Sequence, residues 1–147
     1  MNAISFYRVE HWLWKKKVPI LPAVIHNIIF LMFNSHIPAS CTIGKGTRFA
    51  YGGMGVVIHA TCIIGDNCII GTNVTIGGRS GKPNPPVVGN NVYISTGAKV
   101  LGDIKVEDNV IVGANAVVIK NVPRNAVVVG IPSKIIKYSP EGNRLIP

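Results

Sequence analysis

The side chains best suited to move a proton near neutral pH are four histidines, and they are unevenly placed. His11, His26 and His36 fall within the first 36 residues. His59 lies alone inside a regular repeat, at a slot that is often glycine, as at Gly44, Gly65, Gly71, Gly77, Gly89 and Gly113. An imidazole there could take a proton from a hydroxyl or an amine, a contribution of roughly 10²–10⁴-fold to a rate. A turn histidine with no catalytic duty is the alternative. Arg79, Lys82, Lys120 and Lys134 could meet phosphate groups through charge-assisted hydrogen bonds, although solvated surface cations would read the same way. The stretch Gly77 to Lys82 is not a nucleotide-binding P-loop: its glycine spacing is one short, and Pro83 follows the lysine.

These residues must be held by the repeat itself. An apolar residue returns every six positions at Ile37, Ile43 and Phe49, slips by three, and resumes at Ile58, Ile64, Ile70 and Ile76. It continues through Val88, Ile94, Val100, Val106, Val112 and Val118. With 48% hydrophobic residues one match means little, but thirteen in register exclude chance. A six-residue period is neither helical nor a plain strand alternation; it predicts a solenoid of short stacked strands and turns. Four positions on from each apolar residue runs a second column, mostly small and apolar, that includes Cys41, Cys62 and Cys68. Cysteine packs there as a small hydrophobe, and the spacing for zinc ligation is absent, so no metal is expected. Asn67, Asn73, Asn91, Asn109 and Asn115 recur at the place where a coil must turn its corner.

The net charge of +9 points to anionic ligands or surfaces, yet no basic helix and no aromatic stacking motif accompanies it, so a nucleic-acid partner is not expected. Residues 1–36 differ in composition from the rest. Ile4 to Lys17 and Ala23 to Phe33 read as two short helices separated by Pro19 and Pro22. They would cap the open end of the solenoid, or else make peripheral contact with a membrane through Trp and Lys side chains. The apolar stretch Val18 to Phe33 is short for a membrane span and is broken by prolines, His26 and Asn27. Free buried thiols suit a reducing compartment, so a cytoplasmic location, with membrane association as an option, is expected. Residues 37–137 form the solenoid domain and 138–147 a tail.

Two interruptions mark where ligands should bind, because a regular solenoid has no need of them. Ala50 to Gly55 adds three residues before Ile58, and offers Tyr51 and Met54 as substrate contacts. Gly77 to Pro86 forms a loop between Ile76 and Val88 without loss of phase, and offers Asn84.

The runs Ile58-His59-Ala60-Thr61-Cys62-Ile63-Ile64-Gly65 and Asn73-Val74-Thr75-Ile76-Gly77-Gly78 resemble the hexapeptide-repeat acyltransferases. So do Gly97-Ala98-Lys99-Val100-Leu101-Gly102, Gly113-Ala114-Asn115-Ala116-Val117-Val118 and the closing Gly130-Ile131-Pro132-Ser133-Lys134. The chain resembles the serine acetyltransferase branch and its polysaccharide-modifying relatives. That resemblance implies an all-β fold, a left-handed parallel β-helix, with a short N-terminal helical segment. It further implies a homotrimer, acetyl-CoA in a cleft between neighbouring chains, and direct attack of the acceptor on the thioester with His59 as base. By the same resemblance Gly77, Gly78, Ala98 and Ala114 would border the cofactor, with Arg79, Lys82, Lys120 and Lys134 near its phosphates.

The chain departs from serine acetyltransferases in two places. Ala50-Tyr51-Gly52-Gly53-Met54 stands where they carry an Asp-His pair, and Pro83-Asn84-Pro85-Pro86 stands where they carry a histidine after the double glycine. The expected acceptor is therefore a sugar or polysaccharide precursor, acetylated on oxygen or nitrogen. Serine O-acetylation and a non-catalytic scaffold are the alternatives.

Overall fold

A computed structural model describes residues 1–140. Its solenoid is a triangular left-handed β-helix of about four turns. The first sheet stacks Thr42–Ile43, Ile63–Ile64, Val87–Val88 and Lys105–Val106; the third stacks Val57–Ile58, Thr75–Gly77, Lys99–Leu101 and Val117–Val118. The second begins with Arg48–Phe49, Ile69–Ile70, Tyr93–Ile94 and Ile111–Val112, continues with Ala126–Val129, and ends in the antiparallel strand Lys134–Tyr138. All other pairings are parallel and keep one register, for example Ile58 with Ile76 and Ile76 with Val100.

The six-residue period is the triangle's side. Every apolar residue of the first column, from Ile37 to Val118, is buried, as are Cys41, Cys62, Cys68, Val74, Val92, Ala98 and Val110 of the second. Burial pushes the thiols of Cys41 and Cys62 up to about 12 and raises that of Cys68, so these cysteines remain protonated packing groups. Asn67, Asn73, Asn91, Asn109 and Asn115 all have φ between 55° and 59°, the left-handed region that asparagine tolerates better than branched residues. At Gly97 (φ +74°) a Cβ would also collide with the side-chain oxygen of Asn115 in the next coil. Gly97→Ala is expected to cost roughly 1–2 kcal/mol from the backbone alone, read as a lower melting temperature with an unchanged far-UV spectrum.

Two helices close the N-terminal end. The first, α1, spans Ala3–Lys15, with the Asn2 side chain accepting from the Ile4 amide. The second, α2, spans Leu21–Phe33 and ends at Asn34 in the left-handed conformation. It starts two residues earlier than expected from Pro22, because proline in a first turn lacks only an amide hydrogen that the helix would not use. The helices dock on the first coils: Tyr7 Oη donates to the Cys41 carbonyl (2.6 Å), His11 Nδ1 to that of Ala39 (2.6 Å), and Arg8 to those of Ile43 and Gly44. The outer surface of α2 leaves Leu21, Val24, Phe30, Leu31 and Met32 exposed. Among the described residues no helix is long and apolar enough to cross a membrane. Of the tail expected from 138, residues 141–147 lie outside the described residues.

Candidate functional site

His59 stands where a coil leaves the third sheet for the first. Ile58 beside it is fully buried, and alternation along the strand sends Val57 and His59 outward. The His59 amide donates to the Ile76 carbonyl, which fixes its backbone against the next coil. Its ring lies against Gly78, where a Cβ would sit 3.8 Å from His59 Cδ2. The Thr61 amide donates to His59 Nδ1 (3.2 Å), and Thr61 Oγ1 lies at 3.2 Å from the same nitrogen. A nitrogen that accepts from an amide carries no proton, so the neutral ring holds its hydrogen on Nε2. His59 therefore presents an N–H donor to the surface rather than the free lone pair expected of a base at Nε2.

The second interruption leaves this corner at Gly78 and folds onto the coil below. A Cβ at Gly102 (φ +93°) would lie 3.0 Å from Arg79 Cβ and 3.5 Å from Lys82 Cγ, so glycine there makes room for the loop. Asn84 Nδ2 donates to Asp103 Oδ2 (3.1 Å) and ties down the loop's far side. The same corner continues to Lys120, which shares a hollow of about 320 Å³ with Lys134, Ile119 and Pro132. Three coil spacings separate His59 from Lys120, about 14 Å. An extended anionic ligand lying along this edge would meet His59, Gly77 and Gly78, then Arg79 and Lys82, and then Lys120 and Lys134.

Other expected contacts fall elsewhere. Ala98 is fully buried in the core, its amide bonded to Ser95 and its carbonyl to the Thr75 amide, so it offers a ligand neither side chain nor amide. Ala114 and Met54 sit on a different corner, between the second and third sheets, in one column with Thr72 and Thr96. Tyr51 is 85% exposed, in the left-handed region (φ 49°), and borders a separate depression with Asn2, Arg48 and Tyr93. The first interruption is tied to the cap: Ser35 Oγ donates to the Gly53 carbonyl (2.6 Å) and accepts from the Val56 amide (2.9 Å). Among the described residues no group of three His, Cys, Asp or Glu side chains is arranged so that it could hold a metal ion.

Sequence reasoning missed one convergence. His26 and His36, assigned to the cap and its junction, come together with Glu10. Ten residues separate the histidines and sixteen separate Glu10 from His26, so no linear motif joins them. The available signal was Glu10 itself, a carboxylate on the stripe Ala3, Tyr7, Glu10 that α1 buries.

Residues 85–120 match the family described as bacterial transferase hexapeptide (six repeats). A serine acetyltransferase of Synechococcus elongatus is 42% identical over 94% of this chain and 57% of its own length. One of Staphylococcus epidermidis is 40% identical over 99% of this chain and 68% of its own. A solved serine acetyltransferase in complex with CoA superposes with a TM-score of 0.83 at 35% identity, over 91% of this chain and 55% of that one. The chain thus spans little more than half the length of the first and last of these. No sugar-modifying enzyme is among these relatives, so the sugar acceptor expected above finds no support in them. On the identity and coverage with the Staphylococcus epidermidis protein, the chain belongs to the serine acetyltransferase family of hexapeptide-repeat proteins.

Proposed function

We propose that the chain transfers the acetyl group of acetyl-CoA to the hydroxyl of serine. The observation that carries this reading is the single corner on which an outward histidine, a glycine-lined approach and four cations follow one another, on a scaffold shared with a CoA-binding relative. CoA would lie along that corner, its phosphates toward Arg79, Lys82, Lys120 and Lys134, its thioester beside Gly77, Gly78 and His59. His59 Nε2–H would then donate to the negative charge that develops on the thioester oxygen. Assembly as a homotrimer and a cytoplasmic location belong to the same proposal; the outward apolar side chains of Val57, Ile63 and Val87 support the first, the three free thiols the second.

The test is release of CoA thiol from acetyl-CoA with L-serine, compared with nucleotide sugars and with no acceptor. Serine-dependent release is expected. Release only with a sugar would move the acceptor back to the polysaccharide branch. No release, together with no rise in melting temperature at millimolar acetyl-CoA, would identify a non-catalytic scaffold. Replacing Lys120 and Lys134 together by alanine is expected to raise KM for acetyl-CoA roughly 3–10-fold and to leave kcat unchanged, since exposed cations that hold distant phosphates contribute equally to ground and transition states.

A further inference from the structure

Between the helical cap and the first coils lies a cavity of about 600 Å³, bordered by Glu10, Trp14, His26, His36, Ser40 and Ala60. Three ionisable side chains from three segments are joined along its wall. Glu10 of α1 is only 2% exposed; His26 of α2 approaches its Oε1 through Nδ1 at 3.4 Å. His26 Nε2 in turn lies 3.1 Å from His36 Nδ1, with the two rings nearly perpendicular. The remaining carboxylate oxygen, Oε2, is buried with no hydrogen-bond partner among the described residues.

With Glu10 ionised and the 3.4 Å His26–Glu10 contact made a hydrogen bond, one order of donors and acceptors follows, in which the His26 ring also meets the Ile37 backbone. A carboxylate only accepts, so His26 Nδ1 must carry a hydrogen. Neutral His26 then has its lone pair on Nε2, which must receive a hydrogen from His36 Nδ1. Neutral His36 is left with its lone pair on Nε2, at the exposed end of the chain. This is the complement of His59, whose outer nitrogen bears the hydrogen. The two residues also stand on adjacent coils of one sheet edge. His36 pairs in register with Val57, its amide donating to Val56 and its carbonyl accepting from Ile58. His59 is two residues beyond Val57 on the same outward side, which places the two Cα atoms roughly 8 Å apart.

We propose that Glu10, His26 and His36 form a proton relay for acetyl transfer, with His36 Nε2 receiving the proton of the acceptor hydroxyl. The proposal rests on the acetyltransferase reading above. As the hydroxyl oxygen attacks the thioester carbon, its proton passes to His36 Nε2, and the resulting positive charge is shared through His26 with Glu10. The new C–O bond forms, the C–S bond breaks, and the departing CoA thiolate takes the proton back from His36. The relay ends as it began, and His59 Nε2–H holds the transient oxyanion between the two steps. Burial raises Glu10 to about 7, which matches the carboxyl to an imidazole and lets the inner end of the chain hold a proton near neutrality. The ionisable groups beside the relay are Tyr7, Arg8 and His11 on α1, the same helix as Glu10, and Cys41 of the first coil, which interacts with Glu10 and Tyr7; α2 contributes none besides His26, and His59 stands on the adjacent coil. Tyr7, Arg8 and His11 are each turned to a solenoid carbonyl.

Two measurements on the full chain test this. Imidazole ¹⁵N spectra of histidine-labelled protein, above the Glu10 transition, should show His26 and His36 protonated on Nδ1, and His36 with a bare Nε2. His36→Gln should lower kcat with acetyl-CoA and L-serine roughly 10²–10⁴-fold. Glu10→Gln should lower it about 10-fold and remove the acid limb of the pH–rate profile near pH 7. An Nε2–H tautomer at His36, or wild-type kcat and pH profile in a folded His36→Gln protein, would overturn the relay while leaving the acetyltransferase reading intact. A wild-type protein inactive on every acceptor would remove both readings; the spectra would still decide the hydrogen-bond order.

Discussion

His59→Ala is expected to lower kcat for acetyl transfer roughly 10²–10³-fold while changing KM for acetyl-CoA little. The Thr61 amide occupies Nδ1, so the side chain contributes an Nε2–H donor, and a donor aimed at charge that appears only in the transition state acts on kcat. His59→Asn is the informative companion, because a shorter donor amide should recover part of the loss where alanine recovers none. Steady-state kinetics with both substrates varied would check the split. A His59→Ala protein within twofold of wild type would leave His59 as a turn residue, and a loss confined to KM would place it in ground-state binding.

The second large effect concerns stability. Glu10→Gln is expected to make the protein more stable above pH 7, by about 3 kcal/mol. Burial raises the folded-state pKa of Glu10 from 4.5 to about 7, opposed only by the Ala39 backbone. A carboxyl with a raised folded-state value binds its proton more tightly folded than unfolded. Its contribution is thus fully present below about pH 4.5 and is lost as pH rises through about 7. Glutamine carries no charge to desolvate, so the difference between the two proteins should grow across that window and stay constant above it. For a domain of this size the plateau corresponds to roughly 10 °C in melting temperature. His26, which burial and then the neighbouring His36 lower, contributes in the opposite sense on the acid side, losing stability as pH falls below 6.5, and is present in both proteins. Melting curves from pH 4 to 9 would show the divergence; parallel curves would mean that Glu10 titrates as it does in water. Stability gained with activity lost would identify a carboxylate held in the core at a thermodynamic cost for its chemistry.

The solenoid was legible because its signal is periodic and local. Each hexad repeats the same demands on one apolar and one further inward residue, most place an asparagine or glycine at a corner, and the buried column from Ile37 to Val118 meets the first demand throughout. His59 and the loop after Gly77 were legible for the same reason, as departures from that period. The placement of Lys120 beside Lys134 was suggested only by resemblance, and the structure brings them together through the strand that folds back after Pro132.

What the period could not express is which corner a residue occupies or which way a ring is held. Ala98, Ala114, Met54 and Tyr51 lie away from the His59 corner, because side chains six residues apart lie on different faces of a triangle. The tautomer of His59 depends on the Thr61 amide two residues away, a local contact that only backbone geometry reveals. Glu10, His26 and His36 lie on two helices and a connecting segment with no common spacing, and their order becomes defined only when α1 and α2 pack on the first coils. By itself the sequence determined the scaffold, its core and its corners, since each follows from interactions repeated between adjacent coils. Tertiary structure decided the chemistry, since proton positions and pKa values are set by burial and by partners distant in the chain.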